Sequence, residues 1–166
     1  MSKVELLITL VKEAVKKCYI DDKTLIERNM EQASVARIFY YMQRKIDTNI
    51  KFKQLREYNL DCEYNKNMYT PKRLVEDERG KRPDIILHKR MSNNNNLLIL
   101  EFKNGINNLH QDNLINDDYD KLKAFTNQNG IYKYFLGVSV KLNDEEPVYV
   151  FFQNGQETAR EDLSDE

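Results

Sequence analysis

Apolar residues recur every three to four positions through the first fifty residues, and every second position or in short runs through much of the remainder. Leu6, Leu7, Leu10, Val11, Ala14, Val15 and Cys18 share one face of a helix predicted over about residues 3–19. A second helix is predicted from near Thr24 to about Ile46, with Val35, Ile38 and Met42 as its apolar stripe. Residues 58–65 alternate with period two and read as a strand, and 66–82 as a polar loop. Pro83 to His88 is predicted to be a short strand opening on proline, where no backbone donor is required. Ser92 and the run Asn93 to Asn96 form a turn. Leu97 to Lys103 is apolar on both faces until its end, as a central strand should be. A helix over 112–128 turns Ile115, Leu122 and Phe125 inward, and strands follow at Ile131 to Leu142 and Pro147 to Phe152. The order α-α-β-β-β-α-β-β points to an α/β or α+β sandwich: one mixed β-sheet flanked by helices.

Composition narrows this picture. The chain has 166 residues, 40% hydrophobic and 32% charged, which suits one domain with a single sizeable core. That domain is expected over residues 1–155. Residues 156–166 are acidic, hold one large apolar side chain, Leu163, and are predicted to be a disordered tail. No apolar run approaches the length of a membrane span, so no membrane partner is expected. Glu5 and Glu13 interrupt the first apolar stretch, against a secretory signal. Cys18 and Cys62 fit no zinc spacing and read as buried, reduced thiols of a cytoplasmic protein. The net charge of −1 conceals an asymmetry. Residues 44–90 hold thirteen Lys and Arg against eight Asp and Glu, whereas 141–166 hold two against eight. A basic face of that kind suits phosphate, though composition alone favours a solvated surface with an acidic tail.

The candidate chemistry lies on the central hairpin. Glu101 and Lys103, two apart on a strand, share a face. A turn centred between Ser92 and Asn93 pairs residues whose numbers sum to 185, so Asp84 falls opposite Glu101 with Cβ atoms about 5 Å apart. Two carboxylates so placed repel unless a cation sits between them. Mg²⁺, which takes one or two carboxylates and keeps several waters, is the natural partner. Glu31 lies four residues ahead of Val35 and continues the apolar stripe of the second helix, so it is either an exposed helix-start residue or an inward functional acid. Asp61, Glu63 and Asn65 share a strand face, which makes Glu63 a further candidate. The competing explanation is a surface salt bridge between Glu101 and Lys103. His88 and His110 are too far apart in sequence to suggest a metal pair.

Pro83-Asp84 and Glu101-Phe102-Lys103 resemble the two halves of the motif of the PD-(D/E)xK nuclease superfamily. Glu31-Gln32-Ala33-Ser34-Val35-Ala36-Arg37-Ile38 is similar to the amino-proximal helix of a small, single-domain bacterial subgroup. Asp61-Cys62-Glu63-Tyr64-Asn65-Lys66 resembles that subgroup's acidic strand, and Asp118-Tyr119-Asp120-Lys121-Leu122 the helix after its catalytic strand. The likeness covers roughly residues 27–140. It implies a restriction-endonuclease-like core and a nuclease dependent on Mg²⁺ or Mn²⁺, with DNA the expected substrate and endonucleolytic cleavage the expected mode. Asp84 and Glu101 would bind the metal, Lys103 would position the attacking water or stabilise charge, and Glu31 would join the site. Lys121 is a further active-site candidate. Lys66, Arg73, Lys81, Arg82, Lys89 and Arg90 would hold the nucleic-acid backbone through phosphate contacts that carry no sequence information. Tyr58, Tyr64 and Tyr69 would stack on bases of a single strand. Cutting both strands asks for two active sites, so a homodimer is a candidate assembly. The alternative is a catalytically inactive nucleic-acid-binding or regulatory module on the same fold.

Overall fold

The computed structural model describes residues 1–64, 66–67, 70–71, 82–105 and 109–162. Helix α1 spans Lys3–Asp21; its start is fixed by a capping box in which Ser2 and Glu5 exchange hydrogen bonds. All seven apolar residues assigned to its inner face are buried. The predicted second helix is two helices, α2 (Lys23–Glu27) and α3 (Glu31–Thr48). The break falls at Asn29, whose φ of 54° is left-handed, a conformation asparagine tolerates and most side chains avoid. One consequence is that Glu31 opens α3. There its charge meets the positive end of the helix dipole.

A 3₁₀ turn over Ile50–Leu55 leads to β1 (Asn59–Cys62), and a small ladder pairs β2 (Lys66–Asn67) with β3 (Thr70–Pro71). Then come β4 (Ile85–His88), β5 (Asn96–Asn104), α4 (Leu109–Thr126), β6 (Leu136–Leu142), β7 (Pro147–Gln153) and β8 (Gln156–Asp162). Six strands form one mixed sheet in the order β1-β4-β5-β6-β7-β8. Only the central pair β5–β6, joined through α4, is parallel. Side chains alternate across β4 and β5, so the sheet has an apolar layer on each face. Ile85, Leu87, Leu98, Leu100 and Phe102 pack with the inner faces of α1 and α3. Ile86 and Ile99 pack with Leu122 and Phe125 of α4. The protein is therefore a mixed α/β sandwich, as its pattern predicts. Among the described residues no helix is long and apolar enough to cross a membrane.

Three expectations need correction. The stretch 156–166 is not a disordered tail throughout: residues 156–162 form β8, paired with β7 from Gln153↔Gln156 to Val148↔Asp162. Asn154 and Gly155, with φ of 49° and 76°, make the tight turn, so the domain extends past 155. Strand β6 begins at Leu136 rather than Ile131. Lys133 has a left-handed φ of 52°, and the buried Tyr132 and Tyr134 pack in the α4 layer instead. Cys18 is buried, but Cys62 is exposed, because β1 ends there and the chain turns at Glu63, φ 48°.

Candidate active site at the end of the central strand

The β4–β5 ladder runs Ile85↔Leu100, Ile86↔Ile99 and Leu87↔Leu98, each pair summing to 185 as the turn predicts; it slips only beyond Leu87, where His88 faces Asn96. Carried one residue further, the register sets Asp84 opposite Glu101. Beyond Ile85 strand β4 has ended, and the N–H groups of Phe102 and Asn104 along that edge have lost their ladder partner. Carboxylates take over. Asp84 Oδ2 accepts from Phe102 N at 2.7 Å, and Glu31 Oε2 accepts from Asn104 N at 3.0 Å. The stub of β1 is tied in as well, since Glu63 N donates to the Asp84 carbonyl at 3.0 Å.

From Ile99 onward the odd-numbered residues of β5 face α4. Glu101 is 2% exposed, and its Oε1 lies 2.6 Å from Lys121 Nζ. That is an ion pair, but off the direction a hydrogen bond needs, so Oε1 is buried without a donor. Lys103 Nζ lies 3.0 Å from Asp118 Oδ2 and 4.0 Å from Glu31 Oε1. Strand acid thus meets helix lysine, and strand lysine meets helix acid. The surface pair Glu101–Lys103 considered from sequence is not the arrangement; both residues turn to α4.

Electrostatics follow from depth. Burial pushes the Glu101 carboxyl up to about 8, with Lys121 pulling the other way and Asp84 and Asp118 adding to the rise. Burial also raises Asp84, opposed by its bond from Phe102 N and by Lys103 and Lys121. Burial alone would lower Lys103, but Asp118, Glu31 and Asp84 outweigh it and hold the ammonium charged. A cleft of about 190 Å³ opens beside these groups, lined by Glu31, Gln32, Val35, Ala36, Cys62, Glu63 and Asp84.

Among the described residues no group of three or more His, Cys, Asp or Glu side chains is arranged to hold a metal ion. The candidate rests on the pair Asp84 and Glu101. Their donor chemistry fits: both offer hard oxygens, and Glu101 Oε1 is a buried carboxyl oxygen with no hydrogen bond.

Of the residues singled out from sequence, the structure brings Glu31, Asp84, Glu101 and Lys103 to one end of β5, with Lys121 against them and Glu63 on the cleft wall. Sequence reasoning assigns no role to Asp118. The signal is present, because Asp118, Lys121, Leu122 and Phe125 share the helical spacing of the inward stripe. The proposed phosphate-binding residues are scattered in their fates. Arg73 and Lys81, with Lys72 and Arg79 beside them, lie outside the described residues, as do Tyr69 and the side chains of Lys66, His110 and Ile115. Arg82 is exposed, and its carbonyl accepts from Lys121 Nζ at 3.3 Å. Lys89 pairs with Glu57 at 3.0 Å and lies over the Tyr58 ring. Arg90 grips both oxygens of Asp61, which also meets the buried His88 at 2.9 Å. His88 is thus a strand-end residue held by an acid, with the Tyr64 ring edge-on to it.

Neither a scan against protein-family models nor a comparison with curated proteins finds a match for this chain.

Proposed function

We propose that the protein is a divalent-metal-dependent nuclease on a restriction-endonuclease-like core, acting on DNA with little sequence preference of its own. The observation that carries this reading is the meeting of Asp84, Glu101, Lys103 and Glu31 at the point where β4 ends and β5 continues. Asp84 and Glu101 would hold Mg²⁺ or Mn²⁺. A metal bound there would polarise a phosphoryl oxygen, acidify a coordinated water and offset charge on the leaving oxygen.

The chain's own groups supply the remainder. Lys103, kept charged by Asp118, Glu31 and Asp84, stands ready to stabilise negative charge on the phosphate. Glu31, fixed by Asn104 N through one oxygen, turns the other toward Lys103 and lines the cleft, where it can orient water. Arg82 and the basic residues of 66–81 would hold the backbone.

One observation favours a second reading, a module on the same fold, nucleic-acid-binding or regulatory, without catalysis: both lysines of the site are paired with carboxylates, so the charges a reacting phosphate would meet are already satisfied.

Plasmid, linear duplex, single-stranded DNA and RNA, each incubated with Mg²⁺, Mn²⁺ or EDTA, separate the two. The nuclease reading expects cleavage of at least one substrate with metal, none with EDTA, and none by Asp84→Asn. Binding without cleavage under every condition would establish the module instead.

A further inference from the structure

The two ion pairs between β5 and α4 are unequal in depth. The side chains of Lys121 and Glu101 are 11% and 3% exposed, so this pair is almost fully withdrawn from water. Lys121 Nζ approaches Glu101 Oε1 to 2.6 Å yet leaves that oxygen without a hydrogen bond. From its other side the ammonium donates to the carbonyl of Arg82, two residues before Asp84. Lysine supplies positive charge to both acids without the directed bond a buried carboxylate normally receives, since Asp118 Oδ2 beside Lys103 is likewise buried with no hydrogen bond; only at Glu101 is the pair almost fully withdrawn from water. A buried carboxylate without a counter-charge is strongly destabilising, so some cation must stand at Glu101 whenever it is ionised. Lys103 is not free to do so, because Asp118 holds it 3.0 Å away on the helix side.

Building on the metal site proposed above, we propose that Lys121 is a tethered cation that holds the place of the divalent ion at Glu101 and has to leave before the ion can bind. The chain then carries its own competitor for its metal. Metal affinity is set by the difference between two cations at one carboxylate. Lys121 sits on a single turn of α4 and has a four-carbon stem, so departure asks for a side-chain rotation and no movement of the helix.

Calorimetric titration of Mn²⁺ into wild type, Lys121→Gln, Lys121→Arg and Asp84→Asn provides the test. Lys121→Gln keeps a donor but removes the competing charge, and should bind Mn²⁺ about tenfold or more tightly than wild type. Lys121→Arg keeps the charge and should bind no more tightly. A Lys121→Gln protein that binds no more tightly than wild type, when wild-type binding depends on Asp84, overturns the tethered cation and leaves the metal site standing. Absence of Mn²⁺ binding by both wild type and Lys121→Gln overturns both. Should Lys121→Gln fail to fold, acylation of lysine amines in the wild-type protein, read by peptide mass spectrometry, decides. Lys121 should label several-fold faster with Mg²⁺ than with EDTA while Lys45, paired with Glu13 far from the site, stays constant. Equal labelling of Lys121 in a protein that binds Mn²⁺ overturns the proposal.

Discussion

Asp84 is half-buried and Glu101 fully buried, and their neighbours make them respond differently to neutralisation. Asp84 has no lysine pressed against it; its Oδ2 takes a backbone donor that an asparagine oxygen would accept equally well. Asp84→Asn should therefore stabilise the metal-free protein, by about 1 kcal/mol, while abolishing any melting shift on adding Mg²⁺. At a pH above about 8, where Glu101 is ionised, Glu101→Gln strips Lys121 of its counter-charge, so there it should lose the metal response without that gain. Urea unfolding in EDTA distinguishes the two, and equal effects would show that the ion pair contributes nothing. The raised Glu101 carboxyl also fixes a pH dependence. Its folded value of about 8 exceeds the ordinary 4.5, so between these values the folded chain holds a proton that the unfolded chain has released. Stability in EDTA should fall as pH rises through that window. The groups facing it are Lys121 and Asp118 from α4 and Asp84 before β4, and Glu101→Gln should flatten the slope.

Among the elements, the β7–β8 hairpin makes the sharpest claim. Gly155 sits at φ 76°, where a β-carbon finds room but the backbone is strained, so Gly155→Ala should cost about 1 kcal/mol. Ending the chain after Gly155 should lower the melting temperature by several degrees, since β8 completes the sheet and ties to α1 through Glu161 and Lys12. Unchanged melting would mean the strand is an ornament of the sheet edge. The hairpin also shows where sequence and structure part. Residues 156–160 are all exposed and, Ala159 aside, charged or polar, so no burial pattern marks the strand; backbone pairing alone makes it, and Asn-Gly was the available cue. The break at Asn29 was hidden for the opposite reason, because apolar spacing on both sides of it fits one continuous helix. By contrast, the hairpin register, the two-sided burial of β5 and the inner face of α1 were all legible. Each follows from a period and a turn position that packing then enforces. The partners of Glu101 and Lys103 were not, because they lie on α4, and spacing within a strand says nothing of what crosses above it.

At the scale of the whole molecule, charge is arranged so that little of the described basic surface is unopposed near the site. If nucleic acid is held, the contacts fall to Arg82 and the basic residues of the preceding segment. Changing Arg73, Lys81 and Arg82 together to alanine should weaken binding to all sequences alike and reduce the salt slope by about one unit per lost contact. Lys89→Ala should leave the slope unchanged, because that lysine already answers Glu57. An equal effect of the two variants would place the binding face on the β4–β5 turn. The two apolar layers share one sheet, so Phe102→Ala on one face and Phe125→Ala on the other should each cost about 3–5 kcal/mol and unfold the protein in a single transition. The edge of β5 joins this architecture to the site. Where β4 stops, the amides of Phe102 and Asn104 are held by the side chains of Asp84 and Glu31 rather than by another strand. Those two protons are in effect a built-in gauge. In a ¹⁵N–¹H spectrum their resonances should move when an ion draws electron density from Asp84 or Glu31, and their exchange with solvent deuterium should quicken in Asp84→Ala and Glu31→Ala respectively, one amide for each acid, so that occupancy of the site can be followed without any substrate.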